Sequence, residues 1–317
     1  MRIVSLLPAA TEIICALGLD ERLVGVTHEC DYPAHVAALP KVTRTDIPPD
    51  ATSGEIDRLV RDRVNTTSAL YTLDLDVLRQ LAPNLIVTQA LCGVCAVAED
   101  EVAAAACSLA NTPDVVNLTP GTIWDVFDCV RHVANAAGVP ERAGRVVQEL
   151  SVRVDAVAQR NQARTAPTVA FLEWLDPPFS SGHWTPELIR LSGGRDLFGR
   201  EGERSRTLSW DEVIASQPDV LVIACCGFGI ERTLGEMHLV HSVGGWDDLP
   251  AVRNGRVYVL DGSQYFSRPG PRLVDGLELL AHVFHPDANP LPDGARPRYH
   301  RFVAGATRGG AVRIAVA

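Results

Sequence analysis

The chain has 317 residues, with 29 Lys and Arg against 39 Asp and Glu, a formal net charge of −10. That length holds two domains of roughly 150 residues, and 46% apolar with 21% charged residues is the composition of a folded chain, not a disordered one. The acidic balance with scattered arginines argues against a nucleic-acid-binding surface, and the longest apolar run, Val220 to Ile230, is shorter than the roughly 20 residues of a membrane-spanning helix.

The first nineteen residues, MRIVSLLPAATEIICALGL, have Pro8, Thr11 and Glu12 inside the apolar run, one basic residue and no small-residue cleavage site after Leu19. They are expected to be mature structure, which places the protein in the cytoplasm. Short Val/Ile/Leu-rich runs then predict strands at Ile3 to Leu7, Leu23 to Thr27, Leu85 to Gln89 and Val115 to Leu118. Helical patterns alternate with them at Ala9 to Leu17, Asp74 to Leu81 and Val97 to Ala110, the arrangement of a parallel α/β sheet. Residues 1–138 are therefore expected to form an N-terminal lobe.

From Thr122 to Ala137 the pattern is helical, breaks at Gly138-Val139-Pro140, and resumes to about Arg164 with Val146, Val147, Leu150, Val154 and Val157 at helical spacing. Pro140 sits where a first-turn proline is tolerated. Residues 139–165 are expected to be one long connecting helix. A second lobe, 166–285, follows, with strands at Thr168 to Trp174, Val220 to Cys226 and Val257 to Asp261, and helices at Pro186 to Leu191, Trp210 to Ser216 and Arg272 to Val283. The tail 286–317, rich in Pro, Gly and Asp at its start, is expected to run extended over the surface.

Ligands of open parallel sheets bind outside the carboxyl ends of the strands. The segments there are SLLPAATE, Thr27 to Pro33, Gln89 to Ala96, Glu173 to Trp184, Cys225 to Gly229 and Gly262 to Arg272. They hold most of the chemically unusual residues.

The run SLLPAATEIICALGLDERLVGVTHECDYP, with LRQLAPNLIVTQ, PPFSSG, VIASQPDVLVI and SRPGPRLVDGLELLA further on, resembles the vitamin-B12-binding and ferric-siderophore-binding proteins of ABC importers over roughly residues 1 to 285. The resemblance implies two Rossmann-like α/β lobes with parallel sheets, joined by one long backbone helix, with a metal chelate held in a cleft. It puts Tyr32, Phe179, Phe266 and Arg268 on the ligand, and Trp174 and Trp184 suit the same task, since a flat macrocycle favours aromatic packing with a few polar donors at its rim. It also puts Asp76 and Asp211 where exported relatives carry glutamates that meet the permease. Without export, a permease partner is not expected.

Of the eight cysteines, Cys15, Cys107 and Cys129 lie in helical apolar patterns and are expected to be buried. Cys30, the Cys92/Cys95 pair of C-G-V-C, and Cys225/Cys226 lie in the strand-end loops. Alternation lets only one of the last two face the ligand, and Cys226, followed by Gly227, is preferred. Cys30, Cys92, Cys95 and Cys226 then offer four thiolates for an iron-sulfur cluster or, ranked below it, zinc. His28 and His183 stand near enough to assist.

Two functions compete. One is a cytoplasmic binding protein for cobalamin, another corrinoid or a different metal chelate. The alternative is a metalloprotein or enzyme built on the cysteine site, with Asp31, Glu173 or His183 acting on a small substrate. No nucleophile elbow, P-loop or dinucleotide fingerprint supports catalysis, and the reading leans towards binding.

Overall fold

The computed structural model describes residues 1–66, 71–89, 99–291 and 299–302. The chain divides into two compact units. Unit 1 comprises Met1–Ala51, Glu55–Pro120 and Trp124–Leu150; unit 2 comprises Thr52–Gly54, Gly121–Ile123 and the chain from Ser151 on.

Unit 1 is built on β1 (Ile3–Ser5), β2 (Leu23–Gly25), β3 (Thr43–Thr45), β4 (Tyr71–Leu73), β5 (Leu85–Gln89) and β6 (Asp114–Leu118). Four of these form a parallel sheet in the order β2-β1-β5-β6, while β3 and β4 make a separate antiparallel pair. Every residue of β1 and β5 is buried, which is why both open on Val, Ile and Leu and carry polar residues only at their carboxyl ends, Ser5, Thr88 and Gln89. Leu78, Val102 and Leu109 pack with Val4 and Ile86 in the core. The first helix, Pro8–Ala16, opens on a proline and buries Ile13 and Ile14. The helix Leu75–Leu81 is capped by Asp74, whose carboxylate accepts from the Val77 amide at 3.1 Å. The helix Glu99–Ser108 corrects one expectation, because Cys107 is exposed. Four alanines, Ala103 to Ala106, precede it, so the local sequence marks the buried face only weakly. Cys129 is buried and Cys15 half-buried.

Unit 2 contains β7 (Thr168–Leu175), β8 (Pro178–Ser180), β9 (Arg195–Asp196), β10 (Val220–Ile223), β11 (Val257–Leu260) and β12 (Tyr299–Phe302). The sheet order is β12-β11-β10-β7-β8, with β9 also on β7. Its centre is parallel, and β8 and β12 add antiparallel edges. Residues 299–302 of the C-terminal tail pair with β11 and cover hydrogen-bonding groups that would otherwise form an open edge. Ile123–Ala136 and Pro140–Asn161 form the central helices, and the latter buries Val146, Val147 and Leu150 in unit 1 and Val154 and Val157 in unit 2.

On the unit 2 part of that helix, Arg153 reaches the helix Leu273–Phe284. Its Nε and Nη2 donate to the two Glu278 carboxylate oxygens at 2.9 and 2.8 Å, and Nη2 also donates to Asp275 at 2.6 Å. The paired carboxylates hold the guanidinium pKa above its ordinary value. Arg153→Ala leaves two partly buried carboxylates side by side. It is expected to lower stability by about 1–3 kcal/mol in urea unfolding, and Arg153→Lys, which keeps the charge without the fork, should recover only part of that.

Candidate functional site

In unit 1 the residues that carry the sequence resemblance form a hydrogen-bonded chain at the carboxyl end of β1. Thr11 Oγ1 donates to Ser5 Oγ at 2.9 Å, and the Ser5 hydroxyl donates to the Leu7 carbonyl at 2.8 Å. The Cys30 thiol lies 3.1 Å from the hydroxyls of both Thr11 and Thr27. Pro8 starts the helix that delivers Thr11, so the S-x-x-P-x-x-T spacing is explained by this local geometry. Cys30 is buried among these hydroxyls, which holds the loop after β2 against the first helix. The two cysteines of C-G-V-C, Cys92 and Cys95, lie outside the described residues.

Beside Cys30, His28 Nδ1 pairs with Thr43 Oγ1 at 2.8 Å and its ring lies 5.1 Å from that of Tyr71. Burial lowers the His28 pKa, which favours the neutral imidazole. Its Nε2 has no hydrogen-bond partner and borders a cavity of about 10 Å³ between Leu6, Pro8, Thr43 and Tyr71, room for one water molecule. The Tyr71 hydroxyl donates to Glu29 Oε1 at 2.8 Å. Tyr32 is 47% exposed.

In unit 2, Glu173 ends the buried part of β7 and folds back on the following loop. Gly182 N donates to its Oε1 at 3.0 Å, and the Ser205 side chain also hydrogen-bonds its carboxylate. Burial outweighs these bonds and pushes its pKa up to about 7. Trp174 and Phe179 are neighbours across the β7/β8 ladder, and both are partly exposed. The Trp174 ring lies 4.9 Å from that of Phe228, and the Arg232 guanidinium sits over the Phe228 ring at 3.8 Å. Trp174 Nε1 donates to the Ser53 carbonyl at 3.3 Å, which fixes the indole.

Other expected ligand residues stand differently. Trp184 and Phe266 are both buried: Trp184 Nε1 donates to the Phe266 carbonyl at 2.7 Å, and Phe266 packs edge-on against Phe171. They hold two loops of unit 2 together and do not present stacking faces. His183 adopts a positive φ of 53° and stacks on Trp184, with its pKa lowered by burial and by Arg204. Arg268 is buried beside Asp261 and donates to Ser263 Oγ at 3.2 Å. Cys225 is fully buried, its thiol pKa raised by desolvation, whereas Cys226 is exposed. Cys30 lies in unit 1 and Cys226 in unit 2.

Sequence reasoning missed Phe228, Arg232 and Tyr71. Phe228 was visible as an aromatic in a strand-end loop. Arg232 and Tyr71 owe their places to tertiary contacts that no local pattern announces.

The sequence profile of the family described as periplasmic binding protein matches residues 3–263. Among curated proteins, the chain is 24% identical over 281 residues to the vitamin B12-binding protein of Vibrio cholerae, covering 87% of this chain and 86% of that one. It is 23% identical over 298 residues to an uncharacterized ABC transporter substrate-binding lipoprotein of Bacillus subtilis, covering 90% and 80%. Among solved structures, it matches the periplasmic heme-binding protein of Roseiflexus sp. RS-1 in apo form with a TM-score of 0.69 and 26% identity, over 91% of this chain and 99% of that one. The expected two-lobed parallel α/β class is the fold of these relatives. An iron-sulfur cluster draws no support from them.

Proposed function

Because this chain belongs to the periplasmic binding protein family, we propose that it is a substrate-binding protein for a planar metal chelate, with a corrinoid such as cobalamin as the ligand. The observation that carries this reading is the Trp174–Phe228–Arg232 group in unit 2. It offers an anchored indole for the apolar face of a macrocycle and a guanidinium for the carboxylate or amide groups at its rim. The similarity of the chain to a vitamin B12-binding and a heme-binding protein supports the ligand class.

The partner we propose is the permease of an ABC importer, in line with the relative named as a transporter component. Asp76 and Asp211, each in the first turn of an exposed helix, are the acidic positions for that contact. Cell fractionation decides between this partner and the cytoplasmic expectation: recovery in the cytosol removes the permease.

The test is titration of purified protein with cyanocobalamin, haemin and a ferric hydroxamate, followed by tryptophan fluorescence. Cobalamin is expected to bind most tightly, and Trp174→Ala to weaken it by about tenfold, the loss of one aromatic contact of roughly 1.4 kcal/mol. Absence of binding by all three chelates overturns the reading.

A further inference from the structure

One cluster of soft and hard donors lies apart from every residue discussed as ligand-binding. Cys15 is the penultimate residue of the helix Pro8–Ala16, Asp20 opens the short 3-10 turn Asp20–Arg22, and His35 lies in the 3-10 turn Ala34–Ala38. One ligand atom from each falls within 4.8 Å of the other two, the one such group of three among the described residues. Asp20 Oδ1 sits 2.9 Å from His35 Nε2, and the Asp20 carboxylate also accepts a hydrogen bond from the Cys15 thiol. From this geometry we infer that Cys15, Asp20 and His35 form a site for a borderline divalent cation, Zn²⁺ in character, with its fourth position open to water.

The donor chemistry selects that class. A thiolate disfavours Mg²⁺ and Ca²⁺, an imidazole suits Zn²⁺, and a carboxylate completes a set seen in three-ligand zinc sites. One thiolate and one carboxylate neutralise a dication with no further charge. The side chains of His35 and Asp20 are 57% and 38% exposed, which gives the ion a path in, while the half-buried Cys15 provides the fixed base. A bound ion replaces the thiol proton and the Asp20–His35 contact with three metal bonds, and the thiol proton leaves to solvent.

The placement suggests what the ion does. Between Asp20 and His35 run β2 and the loop Thr27 to Pro33, which carries His28, Cys30 and Tyr32. An ion at the site ties both ends of that stretch to the first helix, whose Thr11 already holds Cys30. The site is distinct from the chelate-binding reading and stands or falls without it.

The test uses the full chain, stripped of metal under reducing, oxygen-free conditions and titrated with Co²⁺ in a Cys92→Ser, Cys95→Ser, Cys226→Ser background that removes the loop thiols as competitors. The expected result is one Co²⁺ per chain, with a sulfur-to-cobalt charge-transfer band and tetrahedral d–d bands that Zn²⁺ bleaches. Cys15→Ser should abolish the charge-transfer band, and His35→Ala should weaken Co²⁺ by at least about tenfold. His35 is surface-exposed, so His35→Ala decides the matter even if Cys15→Ser fails to fold by circular dichroism. No band in the parent, a band that survives Cys15→Ser, or unchanged Co²⁺ affinity in His35→Ala overturns the site.

Discussion

Gly262→Ala is expected to cost about 3 kcal/mol of unfolding free energy or more, read as a lowered urea midpoint with an unchanged m value. A Cβ at Gly262 would lie 2.1 Å from the Cys225 carbonyl oxygen and 2.8 Å from the carbonyl carbons of Ala224 and Cys225. All three are backbone atoms at the end of β10, so no side chain can rotate away. The two loops are locked at this point by further bonds: Ser263 N donates to the Phe228 carbonyl at 3.0 Å, and Ser267 Oγ donates to the Gly262 carbonyl at 2.8 Å while accepting from Gly227 N at 3.1 Å. Room for a methyl group therefore requires one loop to leave the other. That displacement also carries Phe228 away from Trp174, so chelate affinity should fall together with stability. Gly235→Ala is the control, because nothing lies within 4 Å of its added Cβ at the end of the helix Ile230–Gly235. It should stay within about 1 kcal/mol of the parent, on the stabilising side. A Gly262→Ala protein as stable as the Gly235→Ala one would show that the loop contact has slack.

The parts of this fold that were legible in the sequence share one physical property. Leu85 to Gln89 is a strand at the residues expected, and β1, β7, β10 and β11 lie within the expected runs or one residue beyond them. β1, β5, β10 and β11 are buried along their whole length and β7 from Val169 to Leu172, so apolar residues run on there with little polar alternation. The elements that escaped are short and polar. β3 reads TRT, β4 reads YTL and β9 is two residues long, and such strands exist because a neighbouring edge accepts their hydrogen bonds. The long helices were legible through Val146, Val147, Leu150, Val154 and Val157, all buried.

The site was legible by location more than by role. The carboxyl end of β7 holds Glu173 and Trp174, and strand-end loops hold Phe228 and Tyr32, as the α/β rule requires. Whether a loop aromatic faces the ligand or its own core is another matter, because it depends on contacts far away in sequence. Trp184 and Phe266 are 82 residues apart and bury each other, while Trp174, with the same residue type in the same loop system, keeps part of its ring exposed. Cys30 makes the same point, since a loop thiol available for a metal and a buried thiol held by two threonine hydroxyls have identical local sequence. The Cys15, Asp20 and His35 group has no spacing motif at all, and only the approach of two 3-10 turns to a helix end assembles it.

Glu173→Gln is expected to stabilise the protein at pH 8 by at most about 3 kcal/mol and to remove a pH dependence that the parent shows between 4.5 and 7. In the unfolded chain Glu173 releases its proton near its ordinary value of 4.5, whereas burial in the fold raises that value to about 7. Between the two the folded state binds more protons than the unfolded one, so unfolding free energy falls as pH rises through this window. Below 4.5 the carboxyl is protonated in both states and costs nothing; above 7 the whole penalty is present. Glutamine fits the same surroundings, because its oxygen still accepts from Gly182 N and its amide can donate to the Ser205 hydroxyl. Other groups titrate in the window with the opposite sign. His28, His183 and His241 have lowered pKa values from burial, so the unfolded chain binds more protons at each, and their contribution rises with pH. The parent profile alone can therefore look flat. The difference between parent and Glu173→Gln cancels the histidines and isolates the one carboxyl, and it should grow through the window and level off above pH 7. A difference that is constant from pH 4 to 8 would mean that Glu173 ionises as an ordinary carboxyl despite its enclosure.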